Sequence, residues 1–214
     1  MTLDSVHIAH DHVPASQLEP LVPATPRGEA TRRKLLSAAE EEFGGKGFHV
    51  ASVSSITTRA GVGQGTFYLY FRTKEEVFVT LVREIGRNLR KHMRDSVANA
   101  IHRLDAERRA MDAFFTYACE HPGLYRIVQE SQFVDEGVFR EYYERIASGY
   151  ASDLEAAEQR GEIAPGNAEV RAWSLMGMGH FLGMRYCLWA GQVPPPEAVD
   201  AMMDMVAHGI AVRS

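Results

Sequence analysis

Twenty residues, SVSSITTRAGVGQGTFYLYF from Ser52 to Phe71, hold two short helical segments separated only by Gly-Val-Gly. A connection this tight forces the second segment to cross the first at a steep angle. Ser52 is a fitting N-cap for VSSITTRA, with Val53 and Ile56 pointing inward and Gly61 ending the helix. A second short helix is expected from Gln64 to Tyr70. Phe67 and Phe71, four residues apart, are its buried anchor. That leaves Gln64, Gly65, Thr66, Tyr68 and Tyr70 on the outer side.

The same periodicity runs through the rest of the chain. RGEATRRKLLSAAEEEFGGKGF puts Leu35, Ala38, Ala39 and Phe43 on one face, and its glycines end the helix. Arg32, Arg33 and Lys34 crowd its start, against the helix dipole, as if something anionic lay nearby. Thr73 caps a further helix with Glu75 and Glu76 in its first turn and Val77, Leu81, Ile85 and Leu89 inward. Beyond residue 102 every segment reads as helix, punctuated at Pro122, Gly161, Pro165, Gly191 and the prolines at 194–196. The expected fold is all-α, with about nine helices and no strand. Residues 1–25 lack periodicity and are expected to form a mobile tail, with His7, His10 and His12 solvated rather than metal-bound. Residues 26–73 are expected to form one unit and 74–214 a second.

Charge divides the chain. It carries −5 in total, yet residues 27–95 hold thirteen Lys/Arg against eight Asp/Glu, whereas residues 96–214 hold ten against seventeen. A basic segment on an acidic body suggests polyanion contact confined to that segment. The outer side of the second short helix has the chemistry for it. Gln64 and Thr66 carry donors, acceptors and a methyl for base edges, and Gly65 allows close backbone approach. Ser52, Tyr68 and Tyr70 present hydroxyls for phosphate oxygens, and Lys74 adds charge at a helix start. This is the arrangement of a helix-turn-helix whose second helix enters the major groove of double-stranded DNA.

SITTRAGVGQGTFYLYFRTKEEVF resembles the TetR-family signature: an isoleucine-led helix, an Ala-Gly-Val turn, Gly-Thr-Phe-Tyr, a second Tyr-Phe, then Lys-Glu. The match spans about residues 27–78. Thr57 stands where alanine is usual. Gly63 and Gln64 replace the commoner Ser-Lys or Ser-Arg, so phosphate attraction is weaker and the operator sequence is unassigned. The resemblance implies a homodimer with N-terminal DNA heads and C-terminal ligand bodies. It also implies repression of a palindromic operator, relieved by a small molecule.

The body offers two aromatic-rich stretches, PGLYRIVQESQFVDEGVFREYY and WSLMGMGHFLGMRY. An apolar pocket with sparse polar groups is the usual ligand site. LYRIVQE and FLGMRY resemble the subgroup that senses acyl-CoA thioesters, fatty acyl or aromatic ones such as phenylacetyl-CoA. That resemblance implies Arg126 or Arg185, with Gln129, at the polar part of the effector, and Phe133, Trp173, Met176 and Phe181 at the acyl group. The competing reading of such a stripe is plain core. Gly177, Gly179 and Gly183 are each costly inside a helix, about 1 kcal/mol against alanine. Either close helix approach or room for a ligand would offset that cost. In the resembling family the last two helices form the dimer bundle, which implies Gly179, Leu182, Tyr186, Met202 and Val206 near the partner.

No phosphate-binding glycine loop, nucleophile elbow or metal-ligand spacing points to an enzyme, and no cofactor is expected. Cys119 and Cys187 read as thiols of a reducing compartment. With no signal peptide or membrane span, the expectation is a cytoplasmic, nucleoid-associated protein. The rival readings are a helical small-molecule-binding protein without DNA function, and an activator of the same fold.

Overall fold

The computed structural model describes residues 13–210. Among these, nine α-helices carry the fold: α1 (Pro26–Lys46), α2 (Val53–Ala60), α3 (Gln64–Phe67), α4 (Lys74–Val97), α5 (Arg103–Glu120), α6 (Pro122–Val134), α7 (Glu136–Gln159), α8 (Ala168–Gly183) and α9 (Pro196–His208). The described residues contain no strand. Helix α8 runs on through a π-helical stretch, Met184–Trp189. No described helix is long and apolar enough to cross a membrane.

Two hydrophobic clusters organise the helices. The first gathers the α1–α3 head around Phe43, Ile56, Phe67 and Phe71, and continues without a break into α4 (Phe78, Leu81, Val82) and α6 (Ile127, Val128). The second packs α5, α7, α8 and α9 around Met111, Phe115, Leu154, Leu175 and Met202. The anchors Phe67 and Phe71 are fully buried. Helix α4 belongs to both regions: its first turns complete the head core, and its later turns wall the body.

Helix α6 also touches the head. A Cβ on Gly44 of α1 would lie 3.0 Å from the Gly123 Cα of α6, so the two backbones pack directly on each other. Glycine is needed there for proximity. At Gly47, where φ is +80°, it is needed for conformation.

Several expectations need correction. Helix α3 is one turn, Gln64–Phe67, and residues up to Tyr70 follow as turns. The tail expected over 1–25 is held down in its described part. The Ser16 N–H donates to Asp135 at 2.9 Å, and the Arg83 guanidinium donates to the Ser16 carbonyl at 2.7 Å. Arg72 reaches the Glu19 carbonyl at 3.0 Å. Backbone groups without side-chain periodicity can still be fixed by distant charged partners, which composition does not reveal. His7, His10 and His12 lie outside the described residues.

Gly179 and Gly183 serve close approach of α8 to α5. Added Cβ atoms would meet Met111 Sδ at 3.1 Å and Phe114 Cε1 at 3.0 Å. Gly177 has open space instead. Gly179 and Met202, expected near the partner, are buried within this chain's own core, while Leu182, Tyr186 and Val206 are half-buried. Cys187 is buried and donates to the Phe115 carbonyl; Cys119 is only half-buried.

Candidate functional site

The head presents its second helix outward. Ser52 and Ser55 form a reciprocal cap, each side chain accepting the other's N–H at 3.1 Å, which fixes the entry to α2. Gly61 takes the left-handed conformation at φ +67° and turns the chain towards α3. Phe67 then pins α3 to the core, leaving Gln64 and Gly65 exposed and Thr66 half-buried. Tyr68 stands edge-on to Phe67 and is 56% exposed. Tyr70 is half-buried, packed partly against the head core beside α1. A Cβ on Gly65 would meet nothing within 4 Å, so internal packing gives no reason for glycine there.

Lys74 is engaged differently from the expectation. Its ammonium donates to the carbonyls of Phe48 and Ala51 at 2.7 and 2.8 Å and lies 4.1 Å from the Phe48 ring centre. It thereby ties the first turn of α4 to the α1–α2 loop. Arg59 is also occupied, pairing with Glu41 and Glu42 at 2.7 Å, and Arg72 pairs with Glu76 at 2.8 Å. The head's exposed cations without an ion pair among the described residues include Arg33 and Lys34 on α1. Arg83, Arg87, Arg90 and Arg94, part of the basic excess in the sequence, stand along α4 outside the helix-turn-helix.

A cavity of about 380 Å³ opens between the two hydrophobic clusters, within the usual range for small-molecule sites. Ile85, Leu89 and Met93 of α4 form one wall, and Met111 and Phe114 of α5 another. Tyr142, Tyr143 and Tyr150 of α7 and Met176 of α8 complete it. Of the residues expected at the effector, Met176 alone lines this chamber. Arg126 and Arg185 are exposed, as are Phe133 (79%), Trp173 (43%) and Phe181 (66%). Gln129 is half-buried and contacts Met184 Sδ at 3.7 Å. Apart from Met176, the expected residues share helices α6 and α8 with the chamber lining but lie on other faces of them. The inner face of α6 carries Leu124, Tyr125 and Val128, and that of α8 carries Leu175, Gly179 and His180.

Polar groups interrupt the apolar lining, among them two hydrogen-bonded sets. Tyr125 donates to the His180 carbonyl at 2.8 Å and lies 2.9 Å from His180 Nδ1, linking α6 to α8. Burial pushes the His180 pKa down and the Tyr125 pKa up, so both are neutral near pH 7. Burial also raises Tyr143 to about 12. Elsewhere the Tyr150 hydroxyl bonds to Glu107, which pairs with Arg103 at 2.7 Å. Burial, then Glu107, drives the Tyr150 pKa upward. A sequence signal for this wall exists on α4. The Val77, Leu81, Ile85, Leu89 stripe continues at the same spacing to Met93 and Val97, both of which line the chamber.

A third feature is an apolar outer face. Val170, Trp173 and Phe181 stand exposed at i, i+3 and i+11 of α8, with Trp189 (71%) after it and Met205 on α9. Exposed aromatic patches of this kind usually serve association.

Residues 35–81 match the family model described as bacterial regulatory proteins, tetR family. Over 189 residues the chain is 28% identical to the HTH-type transcriptional regulator YdgC of Bacillus subtilis, covering 86% of this chain and 94% of that one. It is 32% identical over 111 residues to the HTH-type transcriptional activator FasR of Mycolicibacterium smegmatis, about half of each chain (52% and 50%). FadR from Bacillus subtilis, solved in complex with stearoyl-CoA, shares the fold with a TM-score of 0.73 at 19% identity. That likeness covers 84% of this chain and 99% of FadR. With an outward-facing second helix on a two-cluster helical body, this chain carries a tetR-family head over residues 35–81 and is similar along most of its length to an HTH-type transcriptional regulator.

Proposed function

We propose that the protein represses transcription as a homodimer and is released from its operator by an acyl-CoA thioester held in the chamber. The observation that carries this reading is the double role of α4. Its later turns wall the chamber, and its first turn is fastened to the head through Lys74 and the loop carbonyls. A ligand that shifts α4 therefore shifts the recognition helix. Ser52, Gln64, Gly65, Thr66, Tyr68 and Tyr70 are the proposed DNA surface, with Gln64 and Thr66 reading bases. Lys74 holds that surface in place. The apolar face of α8 and α9 supports pairing of two chains, which would set the heads about 34–36 Å apart or a multiple of that.

The acyl thioester reading draws support from the mostly apolar chamber and from the fold shared with FadR, solved with stearoyl-CoA. Ligand and operator would weaken each other by one coupling energy, because each favours a different setting of α4. The test is a fluorescence titration of operator DNA from the protein's own upstream region, with and without palmitoyl-CoA. Weaker operator binding with ligand is the expected result. Tight palmitoyl-CoA binding that leaves operator affinity unchanged would overturn it. The likeness to FasR, an activator, favours one second reading, in which the same ligand strengthens rather than weakens DNA binding.

A further inference from the structure

Gly86 sits in the middle of α4, where glycine is the weakest helix former after proline. A Cβ there would stand 3.0 Å from Tyr142 Cδ2 and 3.2 Å from Arg90 Nη1. The missing side chain gives Tyr142 and Arg90 their places. These two residues line the effector chamber on one side and a second cavity of about 250 Å³ on the other. The two spaces thus share a partition.

Their chemistry differs. The second cavity is lined by Arg83, Arg87, Arg90 and Arg145, with Glu141 as the one carboxylate among the described residues. Glu141 is already divided between Arg83, at 2.8 and 2.9 Å, and Arg145, at 3.0 Å. Among the described residues Arg87 pairs only with Glu84, at 3.6 Å. Arg90 has no ion pair among the described residues, nor has Arg94, which lines the chamber one turn further along α4. Burial, then the neighbouring charge of Arg145, lowers the Arg90 pKa. Asp153, the chamber's one lining carboxylate among the described residues, is about three turns along α7 from Tyr142. Four guanidinium groups beside one carboxylate, Arg83 and Arg90 half-buried and Arg87 and Arg145 exposed, repel one another, and an anion relieves that repulsion.

We propose that this arginine cleft binds the anionic head of an amphiphilic effector whose apolar tail fills the chamber, with Arg90 and Arg145 gripping the head. The inference rests on the acyl-effector reading and deepens it by assigning each end of the ligand a place. Guanidinium forks suit both phosphate and carboxylate, so the head is a phosphate ester of a thioester or the carboxylate of a free acid. Arg83, Arg87, Arg90 and Arg94 follow the i, i+4, i+7, i+11 spacing of one helix face. An anion on that face draws α4 towards Arg145 on α7, so head chemistry acts on the helix that Lys74 fastens to the DNA head.

The test uses the full chain and three probes: palmitoyl-CoA, palmitate, and palmitoyl-pantetheine, which keeps the tail but carries no charge. The Arg90→Gln/Arg145→Gln variant is compared with wild type by calorimetric titration. Arg126→Gln/Arg185→Gln, at exposed arginines elsewhere, is the control, and unchanged circular dichroism and operator binding confirm folding. The expected result is a loss of about tenfold or more for a charged probe, with palmitoyl-pantetheine unaffected. Loss with palmitoyl-CoA alone identifies phosphate, and loss with palmitate as well identifies any anionic head. Unchanged affinity for both charged probes overturns the proposal, as does equal loss for palmitoyl-pantetheine, which would make the arginines structural. Wild type that binds palmitate but not palmitoyl-CoA sinks the thioester reading and leaves the cleft to the palmitate arm. Wild type that binds neither refutes both.

Discussion

The Glu130 carboxylate accepts the Phe48 N–H with both oxygens at 2.9 Å, clamping α6 to the loop between α1 and α2. The same carboxylate lies where a Cβ on Gly47 would stand, 3.1 Å away. Five residues before Glu130, Tyr125 faces the chamber and holds the His180 carbonyl. Helix α6 is thus a second connection between chamber and head, beside α4.

Glu130→Ala removes a charged acceptor from a half-buried N–H that has no substitute. The expected loss of stability is about 1.5–3 kcal/mol, read by urea unfolding. Release of operator by ligand should weaken more than operator binding itself, because only the connection is cut. A variant with wild-type stability and wild-type release would show that the clamp carries neither.

Lys74 and Lys34 separate two uses of positive charge. Lys74 is committed to the Phe48 and Ala51 carbonyls, whereas Lys34 is exposed. Lys74→Met should lower operator affinity by loosening the head, leaving the dependence of log affinity on log salt unchanged. Lys34→Ala should reduce that slope by about 0.9, the value for one phosphate contact. A slope reduction with Lys74→Met would instead return Lys74 to the DNA surface.

The head is legible in the sequence because its signals are local. A cap, a left-handed glycine and two phenylalanines four apart fix α2, the turn and α3 within twenty residues. The chamber is assembled from five helices spread along the sequence, and an apolar stripe reads alike whether it faces core, cavity or another subunit. Trp173 and Phe181 therefore read as pocket aromatics although they point outward, while Tyr142 and Tyr150 on α7 line the space. Charge is similarly ambiguous. The basic excess of residues 27–95 reads as one DNA-directed segment, yet four of its arginines stand beside the cavities because α4 extends well past the head.

Acid should unfold the head through Glu42. Lys46, then Arg59, hydrogen-bonds this buried carboxylate and holds its pKa at about 2, below the ordinary 4.5. A depressed folded pKa contributes stability that is complete above pH 4.5 and is lost as pH falls from 4.5 towards 2. Glu42→Gln should lower stability at pH 7 by about 1–3 kcal/mol and flatten the loss across that window. Thermal unfolding at pH 6 and pH 3 measures both. An equally steep acid loss in the variant would move the cause to other carboxylates.

The outer face of α8 makes the clearest demand on assembly. Trp173 and Phe181 are exposed on one side of the helix, while Gly179 and Gly183 press its other side onto Met111 and Phe114 of α5. The outward aromatics are thus spare to the subunit's own core, and removing them should cost it little. Trp173→Glu/Phe181→Glu would set two charges on each side of a symmetric contact, where desolvation and like-charge repulsion both oppose pairing. The expected result is a single-chain mass by sedimentation with a melting temperature near wild type. Affinity for a full palindrome should fall by about a hundredfold or more, while affinity for a half-site is unchanged, because only the linkage between heads is lost. A variant that remains a dimer would place the interface on another face.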